Sequence, residues 1–163
     1  MAFQVADEAR RFEQRGLTMT NTTPGMVCAH HHLYSSLARG MPAPRGNTDS
    51  FISILENIWW QIDAALDLDM IYWSVALGAA EALASGTTCI IDHHESPNAI
   101  EGSLATISKA CRDVGVRVNT SYGVTDRWDN EGNLHSSVDR SVKMTSAARR
   151  GLDEGFAFIK SGG

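Results

Sequence analysis

Pro24-Gly25-Met26-Val27-Cys28-Ala29-His30-His31-His32 is the stretch on which the reading of the fold turns. Pro-Gly punctuates the chain, the apolar run behind it has the length of a buried strand, and the run ends in three histidines. The same figure returns further on: Gly86 closes a helical pattern, Thr87-Thr88-Cys89-Ile90-Ile91-Asp92 is β-branched and apolar, and His93-His94 follow. A third strand is expected over 116–122, after Gly115.

Helical patterns fill the spaces between these strands. Phe51, Ile52, Leu55, Ile58, Trp59, Ile62 and Leu66 recur at spacings of three and four from Thr48 onward. Further helices are expected over about 69–85, 98–113 and 136–152. Strands alternating with helices make βα units and a parallel sheet, so the fold class is α/β. Three such units are visible, whereas a closed (β/α)8 TIM barrel takes eight strands and about 250 residues. The expectation is therefore a partial barrel over 24–163 that stops short of closure. Residues 1–23, polar and Thr/Asn-rich, are expected to stand outside it as an amino-terminal segment.

Composition narrows the partners. Lys plus Arg total 14 against 19 for Asp plus Glu, a formal net charge of −5. The three lysines are scattered at Lys109, Lys143 and Lys160, so no basic stripe offers itself to nucleic acid. Cys28, Cys89 and Cys111 form no CxxC and no disulfide framework, which fits a reducing cytoplasm. Residues 1–16 are charged and lack the apolar core of a signal peptide, and no window approaches the roughly 18 to 20 apolar residues of a membrane helix. A soluble cytoplasmic protein acting on a small molecule is expected, with homo-oligomerisation left open.

His30 and His32 are the sharpest chemical feature. Residues two apart on a strand share a face while His31 takes the other, and two imidazoles at a strand end suit one divalent ion at about 2.0–2.1 Å per nitrogen. Strict alternation also puts Cys28 on their face, as a third ligand or as a small buried hydrophobe. His93 and His94 end the neighbouring strand at the same edge and, with Asp92 and Glu95, form an ionisable group. One of the two histidines should face the metal pair, and alternation alone leaves open which. Tyr122, Asp126, Arg127 and Trp128 end or follow the third strand at that edge, and Arg127 is the candidate there for a polar substrate. Trp59, Trp60 and Trp73 are expected to serve packing, and His135 to be solvated.

These residues resemble a known family. Pro24 to Leu33 is similar to the first-strand signature of the amidohydrolase superfamily, P-G-[apolar]2-x-x-H-x-H-[apolar]. The likeness continues through Leu37-Ala38-Arg39-Gly40-Met41 and Asn57-Ile58-Trp59-Trp60-Gln61-Ile62-Asp63. Glu81 to Pro97 then resembles the G-T-T-x-[apolar]2-D-H-H-x-S-P segment of the chlorohydrolase and cytosine-deaminase-like branch, and SsnA-type aminohydrolases in particular. The resemblance implies a barrel hydrolase of non-peptide C–N bonds, such as an aminohydrolase of a cyclic amidine or aminated heterocycle. It implies one divalent metal, zinc first and iron second, held by His30 and His32. It also implies that the remaining ligands and the general acid/base lie on later strands, so this chain alone is expected to be inactive. His93, His94 and Arg127 are the candidates for substrate contact from their place at the strand ends, with metal ligation or a structural role as the other readings for the two histidines. The alternative reading is a non-catalytic metal-binding protein or an inactive fragment.

Overall fold

A computed structural model describes residues 23–129, 132, 134 and 144–163. Residues 1–22 of the expected amino-terminal segment, His135 and the opening of the fourth expected helix lie outside the described residues. Three strands, β1 (Met26–His31), β2 (Thr87–His94) and β3 (Arg117–Tyr122), form one open parallel sheet in the order β1-β2-β3. Between β1 and β2 run a 3-10 turn (Leu33–Ala38), α1 (Phe51–Ile54), a π segment (Leu55–Trp59), α2 (Trp60–Ala65) and α3 (Leu68–Ala84). Helix α4 (Ser103–Val114) joins β2 to β3, and α5 (Ser146–Lys160) follows β3.

Local chemistry sets these limits. Ser50 and Ser53 make a reciprocal capping box at the start of α1, and the Asp67 carboxylate accepts from Met70 N–H at the start of α3. The expected start of the third helix near Asn98 is corrected to Ser103. Gly102 there adopts φ 81°, a left-handed conformation that suits glycine and breaks the helix from the turns before it. The last helix runs to Lys160 rather than ending near Leu152, carried on by Phe156, Phe158 and Ile159.

Helices cover one face of the sheet. Leu33, Ile71, Val75, Ile90, Leu104 and Ile107 form a solvent-free cluster between sheet, α3 and α4. The other face is open: Val27 is 60% and Ile91 44% exposed. Trp73, expected to pack, is also exposed and stands edge-on to Tyr72 at 5.1 Å.

The β1–β2 ladder departs from regularity twice. Met26 and Val27 are successive while their partners Thr87 and Cys89 skip a residue; later, Cys28 pairs with Ile90 and His31 with Asp92, which leaves an extra residue in β1. The second departure decides the site.

Candidate metal centre

The bulge between Cys28 and His31 corrects the strict alternation expected of β1. Cys28 packs against the core cluster, donates its thiol to the His30 carbonyl at 3.3 Å, and lines a cavity of about 600 Å³ with His31, Trp59 and Glu81. His30 and His32 approach each other elsewhere, Nε2 to Nε2 at 3.1 Å with ring centroids 4.9 Å apart. Cys28 is thus separated from the imidazole pair.

The hydrogen bonds of His32 fix its tautomer. Its Nδ1 lies 3.0 Å from the carbonyl of His93, and a carbonyl only accepts, so Nδ1 carries the proton. Nε2 is left with a bare lone pair aimed at His30. Two nitrogens bound to one tetrahedral zinc lie about 3.3 Å apart, given zinc–nitrogen bonds of about 2.0–2.1 Å. The observed 3.1 Å fits that edge of a coordination tetrahedron with little movement. Among the described residues no group of three or more His, Cys, Asp and Glu side chains converges as a complete metal site. The pair is half of one.

His93 and His94 take opposite faces. The His93 ring stands 5.3 Å from that of His32, and it reaches there because Gly123 has no side chain: a Cβ would come within 2.6 Å of His93 Nε2 and 2.7 Å of Glu95 Cγ. His94 is fully buried on the helix side, edge-on to Tyr34 and Tyr122. Its Nε2 meets Ser96 Oγ at 2.8 Å, and that hydroxyl donates to the Ala99 carbonyl, so His94 is the donor. Burial, helped by the His93 charge, lowers its pKa to about 3 and keeps it neutral.

Asp92 shares the helix side. Its Oδ1 accepts from Leu33 N–H at 2.8 Å and its Oδ2 from the Thr120 hydroxyl at 3.0 Å, so one carboxylate of β2 ties β3 to the turn that follows β1. Burial raises its pKa, and the two hydrogen bonds oppose the rise.

A second acidic group lies next to the imidazoles. Glu95 Oε2 accepts from Arg127 at 3.0 Å and from the Trp128 indole at 3.3 Å. The Arg127 guanidinium lies 4.5 Å from the centre of the Trp60 ring, a cation–π contact that joins α2 to the loop after β3. Asp63, 2% exposed, keeps Oδ1 without a hydrogen-bond partner. Burial first, then the Glu95 charge, pushes its pKa up to about 7, against Tyr34 and Arg127. The sequence reading missed Asp63 and Tyr34 as members of this neighbourhood; an acid on the apolar stripe of a helix was the available signal.

Comparison with known proteins follows the same lines. The model of the amidohydrolase family matches residues 21–162. A 5′-deoxyadenosine deaminase of Methanocaldococcus jannaschii is 32% identical over 108 residues, which is 66% of this chain and 23% of the relative. A 5-methylthioadenosine/S-adenosylhomocysteine deaminase of Thermococcus sibiricus is 30% identical over 109 residues, 67% of this chain and 23% of the relative. In fold the chain is similar to atrazine chlorohydrolase TrzN from Arthrobacter aurescens TC1, solved with zinc, at TM-score 0.54 and 23% identity over 71% of this chain and 26% of that one. A triazine hydrolase variant gives TM-score 0.60 at 21% identity over 84% of this chain and 30% of that one. The chain thus spans 23% of the length of these curated relatives.

Proposed function

Because the chain belongs to the amidohydrolase family, we propose that it supplies the first two metal ligands of a barrel hydrolase of C–N bonds, and that the reaction is deamination of an aminated heterocycle. The observation that carries this reading is the His30–His32 pair, 3.1 Å apart with His32 Nδ1 held by the His93 carbonyl. When bound, a divalent ion such as zinc supplies an acidified water, its pKa brought to about 7, as nucleophile. His30 and His32 hold that ion. His93, on their face, contacts substrate, whereas His94 acts as a buried packing and hydrogen-bonding group. Arg127, stacked on Trp60 and paired with Glu95, borders the substrate's place. Relatives named as adenosine-type deaminases support the aminated base; relatives named as enzymes give no support to a non-catalytic metal-binding protein.

Metal content and turnover test this. The gene product should hold about one zinc ion per chain, the half-site of this chain alone should bind zinc weakly, and His30→Ala with His32→Ala should abolish both. Full uptake by the double variant removes the assignment. Ammonia release from 5′-deoxyadenosine by the gene product tests the substrate class: release lost with His93→Ala at unchanged metal content supports it, and metal loss in that variant moves His93 into the ligand set.

A further inference from the structure

We propose that Asp92 is a positioning residue for the His32 imidazole: by holding the peptide that follows His32, it keeps that ring's Nδ1–H on the His93 carbonyl and its Nε2 lone pair free. The inference rests on His32 being a metal ligand, as proposed above, and adds to it the group that sets the ligand's tautomer.

The geometry is a clamp around one side chain. Asp92 lies between Ile91 and His93 in β2, paired with His31 on one side and Thr120 on the other. Its Oδ1 takes the N–H of Leu33, the residue directly after His32, at 2.8 Å. The next residue of the same strand, His93, offers its carbonyl to His32 Nδ1 at 3.0 Å. The backbone after His32 and the ring of His32 are therefore both anchored to consecutive residues of β2. Oδ2 is committed to Thr120 at 3.0 Å, which fixes the carboxylate's rotation and leaves Oδ1 only one direction. Ser74 holds the far side of the same corner, donating to the Leu33 and Tyr34 carbonyls.

The clamp is needed because β1 is irregular at this point. Between Cys28 and His31 one residue is unpaired, so the ladder itself does not fix where the strand ends. An imidazole free in water prefers its proton on Nε2, which would turn a metal ligand into a donor. The buried Asp92, 2% exposed and with both oxygens engaged, supplies the missing anchor.

Three samples test this in the 163-residue chain: wild type, Asp92→Leu and Asp92→Asn, read by long-range proton–nitrogen-15 NMR of the imidazoles and by zinc titration. Wild-type His32 should carry its proton on Nδ1; a proton on Nε2 overturns the proposal. Asp92→Leu keeps the volume but offers Leu33 no acceptor, and its folded form should shift His32 towards the Nε2–H tautomer and weaken zinc binding about 10- to 100-fold, as loss of a ligand-orienting group does. Asp92→Asn can still accept from Leu33 N–H and donate to Thr120, so it should restore both readouts. A merely structural role would lower the melting temperature of Asp92→Leu and leave the tautomer and zinc affinity of the folded fraction unchanged, which overturns the proposal. Should Asp92→Leu fail to fold, an amide-to-ester replacement at Leu33 removes the donor alone and must give the same tautomer shift. Should the half-site of the wild-type chain bind zinc too weakly to titrate, the tautomer measurements alone decide the role of Asp92.

Discussion

Asp63 and His94 are two buried ionisable groups that pull the stability of this chain in opposite directions with pH. The Asp63 carboxyl, pushed up to about 7 by burial, holds its proton more tightly in the folded chain than in the unfolded one, where it titrates at 3.8. Folding is therefore weakened as pH rises from about 4, and the full loss, as much as about 4 kcal/mol, is present above about 7. His94, lowered to about 3 from 6.5, weakens folding in the other sense, as pH falls below about 6.5. The two slopes oppose each other between about pH 4 and 6.5, so the parent curve hides both. Asp63→Asn, which removes the titrating group at nearly constant volume, should gain on the parent by about 2–3 kcal/mol between pH 5 and 8 in urea denaturation. A gap that does not change with pH would mean that Asp63 is ionised throughout.

At the level of elements, helix α4 has an unusual start. Its cap position is Gly102, with no side chain to offer, and the Glu154 carboxylate of α5 accepts from Gly102 N–H at 3.0 Å and Leu104 N–H at 3.1 Å. Glu154→Ala should cost about 1–2 kcal/mol, by analogy with loss of a cap, and Glu154→Gln should recover part of it; an unchanged thermal midpoint for Glu154→Ala would show that water serves the two donors as well. This cap was not legible in the sequence, because it joins residues that only tertiary packing brings together. The three strands and α3 were legible, since β-branched runs, Pro24-Gly25 and Gly86 mark them locally. The sharing of a face by His30 and His32 followed from spacing two. The displacement of Cys28 did not, because a bulge leaves no compositional mark, and the choice of His93 over His94 required the actual register of β2.

The molecule as a whole presents an open sheet. Within the described residues β1 and β3 each have one neighbour, the uncovered face bears Val27 and Ile91, and α5 exposes Phe156 at 54% and Ile159 at 71%. Bare edges and contiguous apolar area favour association. The 163-residue chain should therefore sediment as dimers or larger species at micromolar concentration and enhance the fluorescence of an apolar dye; a monodisperse monomer with a single sharp melt would contradict this. The paired irregularities of β1 and β2 have one more consequence, in the lengths this strand can tolerate. The first sets the two strands out of step by one residue and the second brings them back, so the unpaired residue in β1 is a slot that can be emptied. Deleting Ala29 should close the ladder with Cys28 and His31 towards the helices and both His30 and His32 still on the other side. Deleting a residue between His30 and His32 instead sets those two rings on opposite sides. The strand should therefore tolerate loss of Ala29 and not loss of His31, and zinc uptake by the two deletion variants of the gene product tells them apart.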